Sequence, residues 1–211
     1  MEENKILKNN TLRILLLFAF SISGMTALIY EVAWIRPLQL VFGSTIYSVS
    51  AMLTTLMIGF VLGSFLFRNI ADRSNNPVRI FSYLQFFIGI YGFLIFCLFK
   101  ILPYFYLSLL NFNGYQFFQF LLVFLVLIPP AFFFGATWPI VNKAYVNLLK
   151  KGEEMGRLYA FNSLGSGIGS LLAGFFLIPI LGIMRTSFFA ASLNLLIGII
   201  FLIYTLNQNN K

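Results

Sequence analysis

Residues 14–35 read ILLLFAFSISGMTALIYEVAWI. A helix needs about 20 largely apolar residues to cross the hydrocarbon core of a bilayer. This stretch supplies them with one charge, Glu31. A secretory signal is the competing reading, because Lys5, Lys8 and Arg13 precede the apolar run. A signal's apolar core is only about 7–15 residues, and no clear small-x-small cleavage site follows before Glu31. The stretch is therefore read as a first membrane span.

Five further segments have the same character: Ile46–Phe67, Ile80–Phe99, Phe117–Val141, Leu158–Leu181 and Ser187–Leu206. The whole chain agrees with them. Of its 211 residues 60% are hydrophobic, 18% aromatic and 9% charged, and mean hydropathy is +0.90. Soluble domains carry about 25% charged residues, and disordered chains need low hydrophobicity. Both classes are excluded, which leaves an all-α polytopic membrane protein of six transmembrane helices. The absence of histidine removes His-based acid/base catalysis, Ser-His-Asp triads and His-ligated metals. The single cysteine, Cys97, can form no intramolecular disulfide or thiolate cluster and sits in an apolar run. No metal or cofactor is expected.

The net charge of +8 suits basic loops facing anionic headgroups better than nucleic acid. Six spans place both termini on one side. That side would hold Lys5, Lys8, Arg13, Arg68, Arg73, Arg79, Lys143, Lys150, Lys151, Arg157 and Lys211, against Arg36, Lys100 and Arg185 opposite. The positive-inside rule then gives cytoplasmic termini in a cell (inner) membrane. The expected divisions are a cytoplasmic head at 1–13, the membrane domain at 14–206 and a cytoplasmic tail at 207–211. Head and tail are polar and expected to fray. Ile101–Gln116, with Pro103, Tyr104, Tyr106 and Tyr115 and no charge, reads as an outward loop with interfacial aromatics, with room for a short interfacial helix.

Several helix faces stand out. Gly59 and Gly63 form one GxxxG pattern, Gly165 and Gly169 another. Small residues of this kind let helices approach closely. In the first span Phe20, Gly24, Ala27 and Glu31 share a face; in the fifth Asn162, Ser166 and Ala173 do. These stripes suit either plain packing or a polar cavity. The third and sixth spans look lipid-facing, with Gln85 and Asn194 as exceptions. Gly165–Gly169 spells GxGxG, but inside an apolar helix rather than after a strand, so packing outweighs nucleotide binding. Pro129 and Pro130 fall inside the fourth span and are expected to kink or break it, as a structural kink or a functional discontinuity.

Glu31 is the only acid inside a predicted span. Such an acid is a functional candidate and is usually paired. Two readings stand: a pair with Arg36 that fixes the first outer loop, or a protonatable or cation-binding carboxylate facing a cavity. Asp72 and Arg73 could latch helix ends on the inner side. Lys150–Arg157, with Glu153 and Glu154, reads as a solvated loop able to meet a cytoplasmic partner.

LIYEVAWIRPLQLVFGSTIYSVSAMLTTLMIGFVLGSFL (28–66), FGATWPIVN (134–142) and GRLYAFNSLGSGIGSLLAGFFLIPILG (156–182) resemble the membrane domain of membrane-bound, spermidine-synthase-like proteins. RNIADRSNNPVR (68–79) is similar to the inner-loop signature of major facilitator transporters, departing from it at Asn69, Asn75 and Asn76. The resemblance implies a fold like half of a major facilitator transporter. It also implies a membrane module whose relatives carry a fused aminopropyltransferase-like domain, here expected to be missing. Three functions follow as expectations. The module could act with a separate soluble aminopropyltransferase-like partner or on a polyamine-related metabolite. It could be a half-transporter that homodimerises through its GxxxG faces and moves a small solute, cations included, bound by Glu31, Arg36 and Asn162. It could be a structural subunit of a membrane complex. An enzyme acting alone has the least support, since no nucleophile–base pair is visible.

Overall fold

A computed structural model describes residues 2–43, 46–109, 114–149 and 155–209, with side chains except at 2–9, 109, 146–149 and 208–209. It is built of helices: α1 (Glu2–Phe42), α2 (Ile46–Arg73), α3 (Pro77–Leu109), α4 (Tyr115–Leu149), α5 (Met155–Leu172), a π-helical segment (Ala173–Leu177), α6 (Ile178–Leu181) and α7 (Ile183–Asn209). Six stretches are long and apolar enough to cross a membrane, one of them running from α5 through α6 (Met155–Leu181). The chain is an all-α, multi-pass membrane protein whose surroundings are lipid.

The helices extend past the predicted spans. The head does not fray from the first span: α1 begins at Glu2. Its lysines and glutamates are good helix formers, and elongation from an existing helix is cheap. The outward loop predicted at Ile101–Gln116 is mostly helix, because α3 continues through Pro103 to Leu109. Nothing between Tyr104 and Leu109 stops the helix, and Gly114, just before α4, has φ +84°. The tail is likewise helical to Asn209. The side chains of Lys5 and Lys8, and Lys150, Lys151, Glu153, Glu154 and Lys211, lie outside the described residues.

Pro129 and Pro130 do not break α4, which runs unbroken through both and through Pro139. Pro130 has no N–H for the carbonyl of Val126, the acceptor one turn earlier. The Tyr91 hydroxyl, from α3, donates to that carbonyl at 2.5 Å. In lipid a freed carbonyl needs such a partner. The start of α3 is also locally determined. Asn76 Oδ1 accepts from the Arg79 backbone N–H at 3.2 Å, and Pro77 follows as the first helical residue, where its missing donor costs nothing.

Three helix pairs make the bundle, and glycine sets each one. In the α2–α4 pair a Cβ added to Gly59 would collide with Ala131 Cβ, and one on Gly63 with the Phe132 carbonyl. In the α1–α5 pair a Cβ on Gly165 would collide with the Ser21 carbonyl, and one on Gly169 with the Met25 carbonyl. Contacts advance in step along both chains, so both pairs are parallel. The α3–α7 pair is antiparallel: Gly89 faces Ala191 and Leu195, while Gly198 faces Ser82 and Phe86. Further contacts of α3 with α4 and of α1 with α7 join the pairs. By contrast, α1–α5 and α2–α4 touch sparsely, mostly along an α1–α4 seam, with fewer contacts of α1 with α2 and of α4 with α5.

Candidate functional site

That seam is the floor of a groove of about 720 Å³. Its rims are α5 and α2. From α1 come Phe20, Ser23, Gly24, Ala27 and Leu28; from α2 Phe60, Val61, Ser64, Phe65 and Arg68. α4 adds Phe134, Gly135, Thr137, Trp138 and Pro139, and α5 adds Asn162 and Ser166. These residues occupy the middle of α1, the first half of the 155–181 span and the second halves of α2 and α4. The groove therefore lies toward the end of the bundle where α1 begins, which is also the end richer in basic residues.

Residue size explains the opening. Gly24 has no side chain, and a Cβ there would stand 2.6 Å from Asn162 Oδ1 and 2.8 Å from Ser166 Oγ. Its absence lets both polar groups turn inward. Among the described residues the side chains of Ser64, Asn162 and Ser166 make no hydrogen bond, and Arg68 has no ion-pair partner. The walls are otherwise apolar. A mostly apolar cleft with a few converging polar groups is the usual build of a small-molecule site. No lining residue is acidic. The same end is tied below the groove, where Arg13 Nε donates to the buried Tyr145 hydroxyl at 3.2 Å.

The opposite end is filled. Tyr30 stacks on Trp34 with ring centroids 4.7 Å apart, and Phe134 leans on Tyr30 at 6.1 Å. Trp34 Nε1 donates to Ser187 Oγ at 3.2 Å. Behind the groove runs a buried polar chain. Gln85 Nε2 donates to Ser23 Oγ at 2.7 Å, Thr26 Oγ1 to Asn194 Oδ1 at 2.8 Å, and Asn194 Nδ2 to the Tyr30 hydroxyl at 3.3 Å. Gln85 and Asn194 are thus fully buried, and their spans are not simply lipid-facing. They join α1 to the α3–α7 pair. Ser23 belongs to both the chain and the groove wall.

The predicted site residues separate. Asn162 is in the groove. Glu31 is half-buried on the groove face of α1, one turn beyond Ala27 and Leu28, but is not part of the lining. It forms no ion pair with Arg36 among the described residues. Five positions on a helix put two side chains on different faces, whereas facing pairs are three or four apart, and Arg36 is exposed. Asp72 and Arg73 are both exposed at the end of α2 and make no ion pair there. The predicted latch between helix ends is therefore not made by any pair of described residues. Gly59, Gly63, Gly165 and Gly169 are packing positions rather than groove lining. Sequence reasoning treated Arg68 as a topology marker and passed over Phe60, Ser64 and Trp138. The spacing of Phe60, Ser64 and Arg68, four apart on one face of α2, was the available signal. No protein-family model, curated protein or solved structure matches the chain.

Proposed function

We propose that this protein is a transporter-like membrane module that takes a small amphipathic solute into the groove between α1–α5 and α2–α4. The observation that carries the reading is the set of unengaged polar groups, Ser64, Asn162, Ser166 and Arg68, converging in an otherwise apolar cleft. A second copy set across the α2 and α5 rims would close the cleft, as the two halves of many transporters close theirs. The basic residues gathered at the groove's end support cytoplasmic termini in a cell membrane.

Trp138 lines the groove, and Trp34 is the chain's other tryptophan. In a Trp34→Phe background a brominated alkyl probe is expected to quench Trp138 saturably. Ala27→Phe, which fills the groove, should abolish saturation. Quenching that rises linearly and equally in both proteins, as simple partitioning would, counts against the reading.

The likeness to spermidine-synthase-like membrane domains adds the proposal of a soluble aminopropyltransferase-like partner at the basic end. It rests on that likeness alone. Affinity capture from native membranes tests it, and recovery of no such protein would remove it.

A further inference from the structure

Resting on the groove as a binding site, we infer that its ligand is a single-chain amphiphile with an anionic head, not a polyamine or other cation. The charge of the lining decides the class. Arg68 is its only ionic group, and it has no ion-pair partner among the described residues. Asp72, one turn further along α2, does not pair with it. A bound cation would need a carboxylate at hand, since burying an unpaired charge is costly. The described spans hold two acids, and neither lines the groove: Glu31 lies beyond its far end, and Asp72 is exposed at the end of α2. Arg68 instead presents a planar fork of donors, the geometry that binds carboxylates in bidentate fashion.

The rest of the groove orders the ligand along the bundle. Arg68 is at the mouth, on the last turns of α2 and nearest the aqueous end. Ser64 is one turn inward from it, and Asn162 and Ser166 lie across the groove on α5. Further in, Phe60, Leu28 and Phe134 offer only apolar surface. A head at Arg68 with its chain toward Phe134 matches this gradient. The volume of about 720 Å³ is within the range of about 300–1,000 Å³ typical of small-molecule sites. It suits one alkyl chain, and a two-chain phospholipid would overfill it.

The experiment uses the full chain with Trp34→Phe in nanodiscs of phosphatidylcholine, so that the bilayer adds no net charge. Brominated dodecanoate, dodecanol and dodecylamine are titrated against Trp138 fluorescence. Dodecanoate is expected to bind about tenfold or more tighter than dodecylamine, as a charge-assisted hydrogen bond implies. Arg68→Gln should erase that preference, while Arg73→Gln, which removes the same charge at the same end but outside the groove, should leave it. Equal or tighter binding of the amine overturns the anionic assignment while leaving the groove a site. So does an Arg68→Gln effect no larger than that of Arg73→Gln, which would mean surface potential alone. Displacement of dodecanoate by phosphatidylglycerol in the nanodisc overturns the single-chain assignment. If none of the three probes saturates, the groove itself is no binding site.

Discussion

Two successive stretches of α1 differ in their cover, one sealed and the other open. From Ile29 to Phe42 the buried face carries Tyr30, Trp34, Leu38 and Phe42, packed against α3, α4 and α7. From Phe20 to Leu28 the face toward α2 carries Ser23, Gly24 and Ala27, and a groove stands beside them. Side-chain volume and the neighbours' distance separate these stretches. In lipid, helices gain little from hydrophobicity when they meet and rely on close packing and hydrogen bonds. A face of small residues therefore either draws a backbone into contact, as Gly165 does with Ser21, or leaves a space, as Ala27 does.

The sealed stretch is the place to expect the largest effect. Trp34→Ala removes the stack on Tyr30 and the bond to Ser187, and should cost about 3–5 kcal/mol of stability, as large-to-small changes at buried aromatics do. The melting temperature in mild detergent, followed by near-ultraviolet circular dichroism, checks it; an unchanged melt would mean that this stretch is not sealed by packing. A middling effect is expected where glycine brings backbones together. Gly165→Ala puts a methyl group against the Ser21 carbonyl and should cost about 1–3 kcal/mol, the usual range for overpacking, read as a lower midpoint in dodecyl sulfate titration. The smallest effect belongs two residues away. A Cβ on Gly167 meets nothing within 4 Å, so Gly167→Ala should be neutral or stabilise by up to about 1 kcal/mol, because alanine favours helix over glycine. If the alanine variants at 165 and 167 unfold alike, the contrast between packed and open glycines fails.

Much of the fold was legible because its signals are local. Six apolar stretches and the close-packing glycines can be read within a few turns of helix. The groove was not, because it depends on which helices pair. Nothing near Ser64 or Arg68 says that α2 lies on α4 while α1 lies on α5. Gln85 and Asn194 were visible as polar exceptions, but their partners Ser23 and Thr26 are 62 and 168 positions away in the chain. The expected break at Pro129–Pro130 failed for the same reason, since the hydroxyl that meets the freed carbonyl comes from Tyr91 on another helix. The Glu31–Arg36 pair failed on a local ground, helical spacing, that the sequence already contained.

The parallel α1–α5 pair also bears on how the protein is made. Ser21 leaves the ribosome about 140 residues before Gly165, on the order of 10 s at ordinary rates of about 5–20 residues per second. During that interval the Ser21–Met25 flank of α1 has no native cover, and α2, α3 and α4 emerge before its partner does. The nascent protein must hold an incomplete bundle until its fifth span arrives, and that is when it is most exposed to mispairing or to capture by other membrane proteins.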